Sequence, residues 1–150
     1  MRLSLVAVGR AKPGPELDLF RLYAKRLAPP LTVREVEEKR PLPAADRMAR
    51  EAELLLAAAG PATLVALDER GAALASPAFA ERIGRWRDGG VDVAFLVGGA
   101  DGHGAAVRER ADLLLSLGPM TWPHMLVRAL LAEQVWRAQA ILSGHPYHRM

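Results

Sequence analysis

The chain contains no cysteine, which excludes disulfides, thiolate metal sites and cysteine nucleophiles. It also has no asparagine, two glutamines and three lysines, Lys12, Lys25 and Lys39, so nearly all its positive charge is arginine. No stretch approaches the ~20 uninterrupted apolar residues that cross a bilayer, and no membrane partner is expected. The N-terminal run to Val8 passes at once into Gly9-Arg10 with no small-residue cleavage site, so it reads as a first strand rather than a signal peptide. A cytoplasmic location is the expectation.

What is present is a chain of 150 residues, 51% of them hydrophobic, enough for one domain (1–150) with a real core. The formal charge of +3 is modest, but the isoelectric point of about 9.8 raises a nucleic-acid partner. Arginine suits phosphate through its bidentate fork. A GC-rich coding sequence produces the same bias, so composition alone does not decide.

Apolar runs and helical periodicities alternate. Strands are expected to Val8, at Leu31–Val36 (one wet face), at Thr63–Leu67, at Val91–Val97 and at Leu113–Leu117. Helices are expected at Glu16–Leu27, Ala44–Ala59, Ser76 to about Arg87, Ala105–Arg110 and from His124 to Gly144. Ser76-Pro77 reads as an N-cap with proline at the first helical position, and Asp68-Glu69-Arg70-Gly71 as a turn. The alternation predicts an α/β fold with a mostly parallel sheet and helices on both faces. Ligands in such sheets sit beyond the carboxyl ends of the strands, which here means Leu67, Gly98 and Leu117.

The last quarter concentrates the chemistry. The turn Gly98-Gly99-Ala100-Asp101-Gly102-His103-Gly104 lets backbone approach a ligand, yet it matches neither a dinucleotide fingerprint nor a phosphate-binding loop. The loop Leu117-Gly118-Pro119-Met120-Thr121-Trp122 leaves amides and carbonyls that a flat heterocycle could satisfy between apolar walls. The helix from His124 is apolar on more than one side, so one face is expected on the sheet and another on a partner subunit. Glu133 and Arg137, four apart, read as a helix-surface pair. The ending His145-Pro146-Tyr147-His148-Arg149 groups two imidazoles, a phenol and a guanidinium, with no spacing that argues for metal. Arg40, Arg47 and Arg50 near the second helix are either a solvated face or phosphate contacts.

Several of these segments together resemble one family. They are Leu3–Gly9, Leu67-Asp68, Gly98–Gly102, Leu115-Ser116-Leu117, Pro123–Arg128 and, most specifically, Gly144-His145-Pro146-Tyr147-His148-Arg149. The chain is similar over its whole length to the SPOUT-superfamily methyltransferases of pseudouridine N3 in 23S rRNA. The resemblance implies a C-terminal trefoil knot, a homodimer, S-adenosylmethionine as cofactor without a metal, and 23S rRNA of the assembled ribosome as substrate. Carried over, the cofactor would touch Leu67 and Gly98 and lie in Leu117, Gly118, Pro119, Met120, Thr121 and Trp122. Tyr147, His148 and Arg149, with His124 in reserve, would remove the N3 proton and stabilise charge. Arg40, Arg47 or Arg50 would meet RNA. Competing readings are a SPOUT enzyme acting on tRNA and a non-catalytic ribosome-binding factor of the same fold.

Overall fold

The computed structural model describes residues 1–149, along which strands and helices alternate strictly. The order is β1 (Leu3–Val8), α1 (Pro15–Ala24), β2 (Leu31–Val36), α2 (Ala44–Ala59), β3 (Thr63–Ala72), α3 (Ser76–Asp88), β4 (Val93–Val97), α4 (Ala105–Arg110), β5 (Leu113–Leu115) and α5 (His124–Ser143). The strands form one sheet in the order β2-β1-β4-β3-β5, parallel throughout. Each parallel neighbour needs a crossover, and the helices supply these while covering both faces.

The period of two along the central strands divides the core. Leu3, Leu5 and Ala7 of β1 point with Val93, Phe95 and Val97 of β4 toward α1, α3 and α5. Val6 and Val8 point with Ala94 and Leu96 the other way, onto Ala52 and Leu55 of α2 and Val107 of α4. Strands buried on both sides read as continuous apolar runs, which is why β1 and β4 lack alternation.

Helix α5 packs against both α1 and α3, and Leu131, Ala132, Val135 and Ala138 are fully covered. The apolar breadth expected to face a partner is thus largely taken up within the chain. The helix runs antiparallel to the strands. Near its start, Arg128 Nη2 donates to the Gly9 carbonyl at 3.0 Å, beyond the end of β1. Near its finish, Gln139 Oε1 accepts from the Ala28 amide at 3.0 Å, ahead of β2.

Several boundaries differ from the expectation. β3 does not turn at Asp68–Gly71 but continues to Ala72, and its pairing with β5 slips between Leu67 and Ala72. Pairing with β5 overrides the turn composition, and only glycine fits at 71, where a Cβ would overlap the Leu114 carbonyl. β5 stops at Leu115; the Ser116 amide still donates to the Ala72 carbonyl, while its hydroxyl lies 3.1 Å from the Glu69 carbonyl oxygen and accepts from the Gly118 amide. β4 begins at Val93, and just ahead of it the Asp92 carboxylate accepts from the Arg2 amide. Helix α1 ends at Ala24 rather than Leu27, and Leu27 is tied by a tight turn to the Ala24 carbonyl. Ala75, not Ser76, precedes α3, and the Ser76 hydroxyl donates across to Gln134 of α5 at 2.8 Å. On β2 only Leu31 is buried, for this is an edge strand and Val33 stays 40% exposed.

Candidate functional site

At the carboxyl edge of the sheet, the ends of β3 and β4 and the loop before α5 enclose a cavity of about 770 Å³. Leu67 and Gly98 line it from the strands; Leu117, Gly118, Met120, Thr121 and Trp122 line it from the loop. Pro119 belongs to the same loop but is not part of the wall. His124, the first residue of α5, closes one side. Seven of the eight residues expected to hold a cofactor are therefore brought together.

The glycine turn makes room by folding on itself. Gly102 adopts φ of +80°, its amide bonds to the Gly99 carbonyl at 3.0 Å, and a Cβ on Gly98 would lie 3.0 Å from the Gly102 carbonyl carbon. Beneath the turn lies Glu51 of α2, 8% exposed. A Cβ on Gly99 would meet its Oε2 at 3.1 Å. Burial pushes the Glu51 carboxyl up, against the pull of Arg47 and with the help of Asp101.

Residues that sequence reading passed over also face the cavity, notably Asp68, Glu69, Arg70, Asp101 and His103. Burial would raise the Asp68 carboxyl, but the Arg70 amide and guanidinium and the Arg108 charge hold it below its ordinary value. The Glu69 carboxylate accepts from the Thr121 hydroxyl at 2.9 Å, joining β3 to the loop. No periodicity marks these residues, because the assumed turn at 68–71 hid an extended segment. Two buried imidazole nitrogens, Nδ1 of His103 and Nδ1 of His124, have no partner among the described residues. Unsatisfied polar atoms on a partly apolar wall suit a ligand that carries polar groups on an apolar ring system.

The tail lies elsewhere. Helix α5 has 20 residues, or about 30 Å of rise, and carries the tail to the opposite edge of the sheet. There the Tyr147 hydroxyl donates to Glu133 Oε1 at 3.0 Å, and Arg137 donates to the same oxygen and, through Nη1, to His148 Nδ1 at 3.1 Å. The ring of Trp136 packs edge-on against His145 and tilted against Tyr147. The pair expected on a solvated helix surface is thus the hub of a half-buried network. Burial, then the hydrogen bonds with Glu133 and Tyr23, push the Tyr147 phenol up to about 12. Arg149 is exposed.

Of the arginines expected to meet RNA, Arg40 and Arg50 bind Glu38 at 2.9 and 3.2 Å, and Arg50 also binds Glu53. Arg47 reaches Asp101 at 2.7 Å and so buttresses the cavity rim. Among the described residues no helix is long and apolar enough to cross a membrane, and no group of His, Asp and Glu is arranged to hold a metal ion.

Residues 1–148 match the family described as Predicted SPOUT methyltransferase. Ribosomal RNA large subunit methyltransferase H of Paramagnetospirillum magneticum is 68% identical over 151 aligned residues, with 99% of each chain covered. The protein of the same name from Rhodospirillum centenum is 62% identical, again over 99% of both. Among solved structures, the SpoU methyltransferase AviRb from Streptomyces viridochromogenes, in complex with AdoMet, matches with a TM-score of 0.52 and 16% identity. That match covers 92% of this chain and 58% of AviRb, and at such identity the likeness is one of fold. From the full-length family match and the two close relatives, the chain belongs to the SPOUT methyltransferase family.

Proposed function

We propose that the chain is an S-adenosylmethionine-dependent methyltransferase that acts, as a homodimer in the cytoplasm, on N3 of a pseudouridine in 23S rRNA of the assembled ribosome. The observation that carries this reading is the cavity at Leu67, Gly98 and the 117–122 loop, in a chain 68% identical to a large-subunit rRNA methyltransferase. The residues present fit the cofactor. Leu67, Leu117 and Trp122 would wall its aromatic ring, and the loop backbone would answer its polar groups. The expected knot is part of the same reading. It agrees with the chain leaving β5 at one edge of the sheet and crossing through the 116–123 loop to start α5 beside the carboxyl end of β1.

When bound, the cofactor supplies a methyl group already made electrophilic by its sulfonium. The protein's own task is to orient the pyrimidine at about 3–3.5 Å and to take the N3 proton. The tail groups suited to that lie about 30 Å from their own cavity. In a homodimer with antiparallel α5 helices, each tail would reach the partner's cavity instead. Apolar side chains for such a contact stand exposed on the α1/β2 side, namely Leu19, Leu22 and Val33. Within the network on α5, the Tyr147 phenol stays protonated and acts as a donor. His148 Nδ1 is occupied by Arg137, so delivery of the tail must break that bond before the imidazole can accept a proton. Arg149, free at the surface, is suited to the carbonyl oxygens that gain charge as N3 ionises.

Calorimetry should give saturable S-adenosylmethionine binding, sedimentation a mass near twice 16.2 kDa, and unmodified ribosomes should accept labelled methyl. Ribosome binding without cofactor binding would favour a docking factor of the same fold.

A further inference from the structure

One polar group in the cavity is left over by this account. His103 follows the positive-φ Gly102 and is turned inward, 5% exposed, against the end of β4. Its Nε2 lies 3.1 Å from the Leu96 carbonyl oxygen. A carbonyl only accepts, so Nε2 carries the proton and Nδ1 of the neutral ring carries the lone pair. That Nδ1 is unpartnered among the described residues and closed to solvent, although the residue lines the cavity, so a donor reaches it when the ring or the glycine turn shifts slightly. Burial pushes the imidazole pKa down, the Leu96 carbonyl and Asp68 pull it up, and Arg108 pushes it down again; the result lies below the ordinary value. The ring therefore remains an acceptor at neutral pH. A buried acceptor with no donor is a standing penalty unless something else satisfies it.

The surrounding charges restrict what that something is. Asp68 is engaged by Arg70 at 3.4 Å and by Arg108 at 3.3 Å, so no net negative charge remains beside His103 to attract an ammonium or sulfonium. The cavity carboxylate with no cationic partner among the described residues is Glu69, bonded to Thr121 of the loop. A ligand with one cationic and one neutral polar end would place the neutral end at His103.

We propose that His103 is a ligand-binding residue whose Nδ1 accepts a hydrogen bond from a neutral hydroxyl or amino group on the nucleoside half of the methyl donor. The proposal rests on the methyltransferase reading and adds an orientation to it. The test uses the full chain labelled with ¹⁵N at histidine, titrated separately with S-adenosylmethionine, 5′-methylthioadenosine and L-methionine. The His103 Nδ1 resonance should move from a free to a hydrogen-bonded position with the first two and stay put with methionine. His103→Leu should weaken both nucleoside ligands roughly tenfold in calorimetry. An unmoved Nδ1 with unchanged affinities in the variant would overturn the proposal and leave the methyltransferase reading standing. If no nucleoside ligand bound the unaltered chain, both would fall. Should His103→Leu fail to fold, the resonance in the unaltered chain still decides.

Discussion

The two ends of α5 use their polar groups in opposite ways. At its first turn His124, and on the same cavity's wall His103, hold buried nitrogens with no partner among the described residues. At its last turns Glu133, Arg137, Tyr147 and His148 satisfy one another. The first end leaves polar atoms for a visitor to satisfy; the second is at rest and must be undone to act. A preformed cavity binds small ligands without reorganisation, whereas a tail held by a few hydrogen bonds can be released at modest expense. On the proposed function, binding belongs to one end and proton handling to the other, and only a second subunit brings the ends together.

The largest effects should come from separating these roles. Tyr147→Phe and His148→Ala should lower methyl transfer by about 10²–10⁴-fold, the range for a positioned acid or base, with cofactor affinity within about twofold. Parallel loss of both would count against a catalytic role for these side chains. Gly98→Val should do the reverse. Its Cβ alone would lie 3.0 Å from the Gly102 carbonyl carbon, and calorimetry should show cofactor affinity falling about 100-fold, equivalent to ~3 kcal/mol of overpacking, with the tail network intact.

A smaller effect tests the tie between α5 and the β1–β2 edge of the sheet. Arg128, 4% exposed on its side chain, binds Glu35 at 2.6 Å, and Glu35 Oε2 also accepts from the Ala11 amide. Burial would raise the Glu35 carboxyl, but the Arg128 hydrogen bond, the Ala11 amide and nearby positive charge bring it below its ordinary value. Glu35→Ala leaves the buried guanidinium, among the described residues, with the Val8 and Gly9 carbonyls and strands the Ala11 amide. It should destabilise the fold by about 2–3 kcal/mol, read by thermal unfolding. The smallest effect concerns the tail at high pH. The unfolded phenol of Tyr147 ionises near 10 while the folded one holds its proton to about 12, so the folded state binds more protons in that window. Stability should therefore decline as pH rises from 10 to 12, and Tyr147→Phe should flatten the decline.

Most of the architecture was legible in the sequence. Helices α2 and α4 and strand β2 occupy the residues their patterns predict, since each is bounded by proline, glycine or charge. The extension of β3 through Asp68–Ala72 was not legible, because pairing with β5 is a non-local contact that overrides a turn-forming composition. Seven cavity residues were found through strand ends and family resemblance. His103 was missed, since an unpartnered nitrogen exists only once the glycine turn has folded. The separation of the tail from the cavity follows from α5 running antiparallel to the strands, an orientation no local pattern states.

The most direct measurement mixes two inactive proteins. Gly98→Val chains lack a usable cavity and Tyr147→Phe chains lack a working tail; they would be unfolded, combined in equal amounts, refolded and assayed on ribosomes. If each site is built from one subunit's cavity and the other's tail, half the dimers are mixed and each holds one intact site. Methyl transfer should then return to about a quarter of the unaltered protein's rate. A mixture as inactive as its components would contradict the shared site.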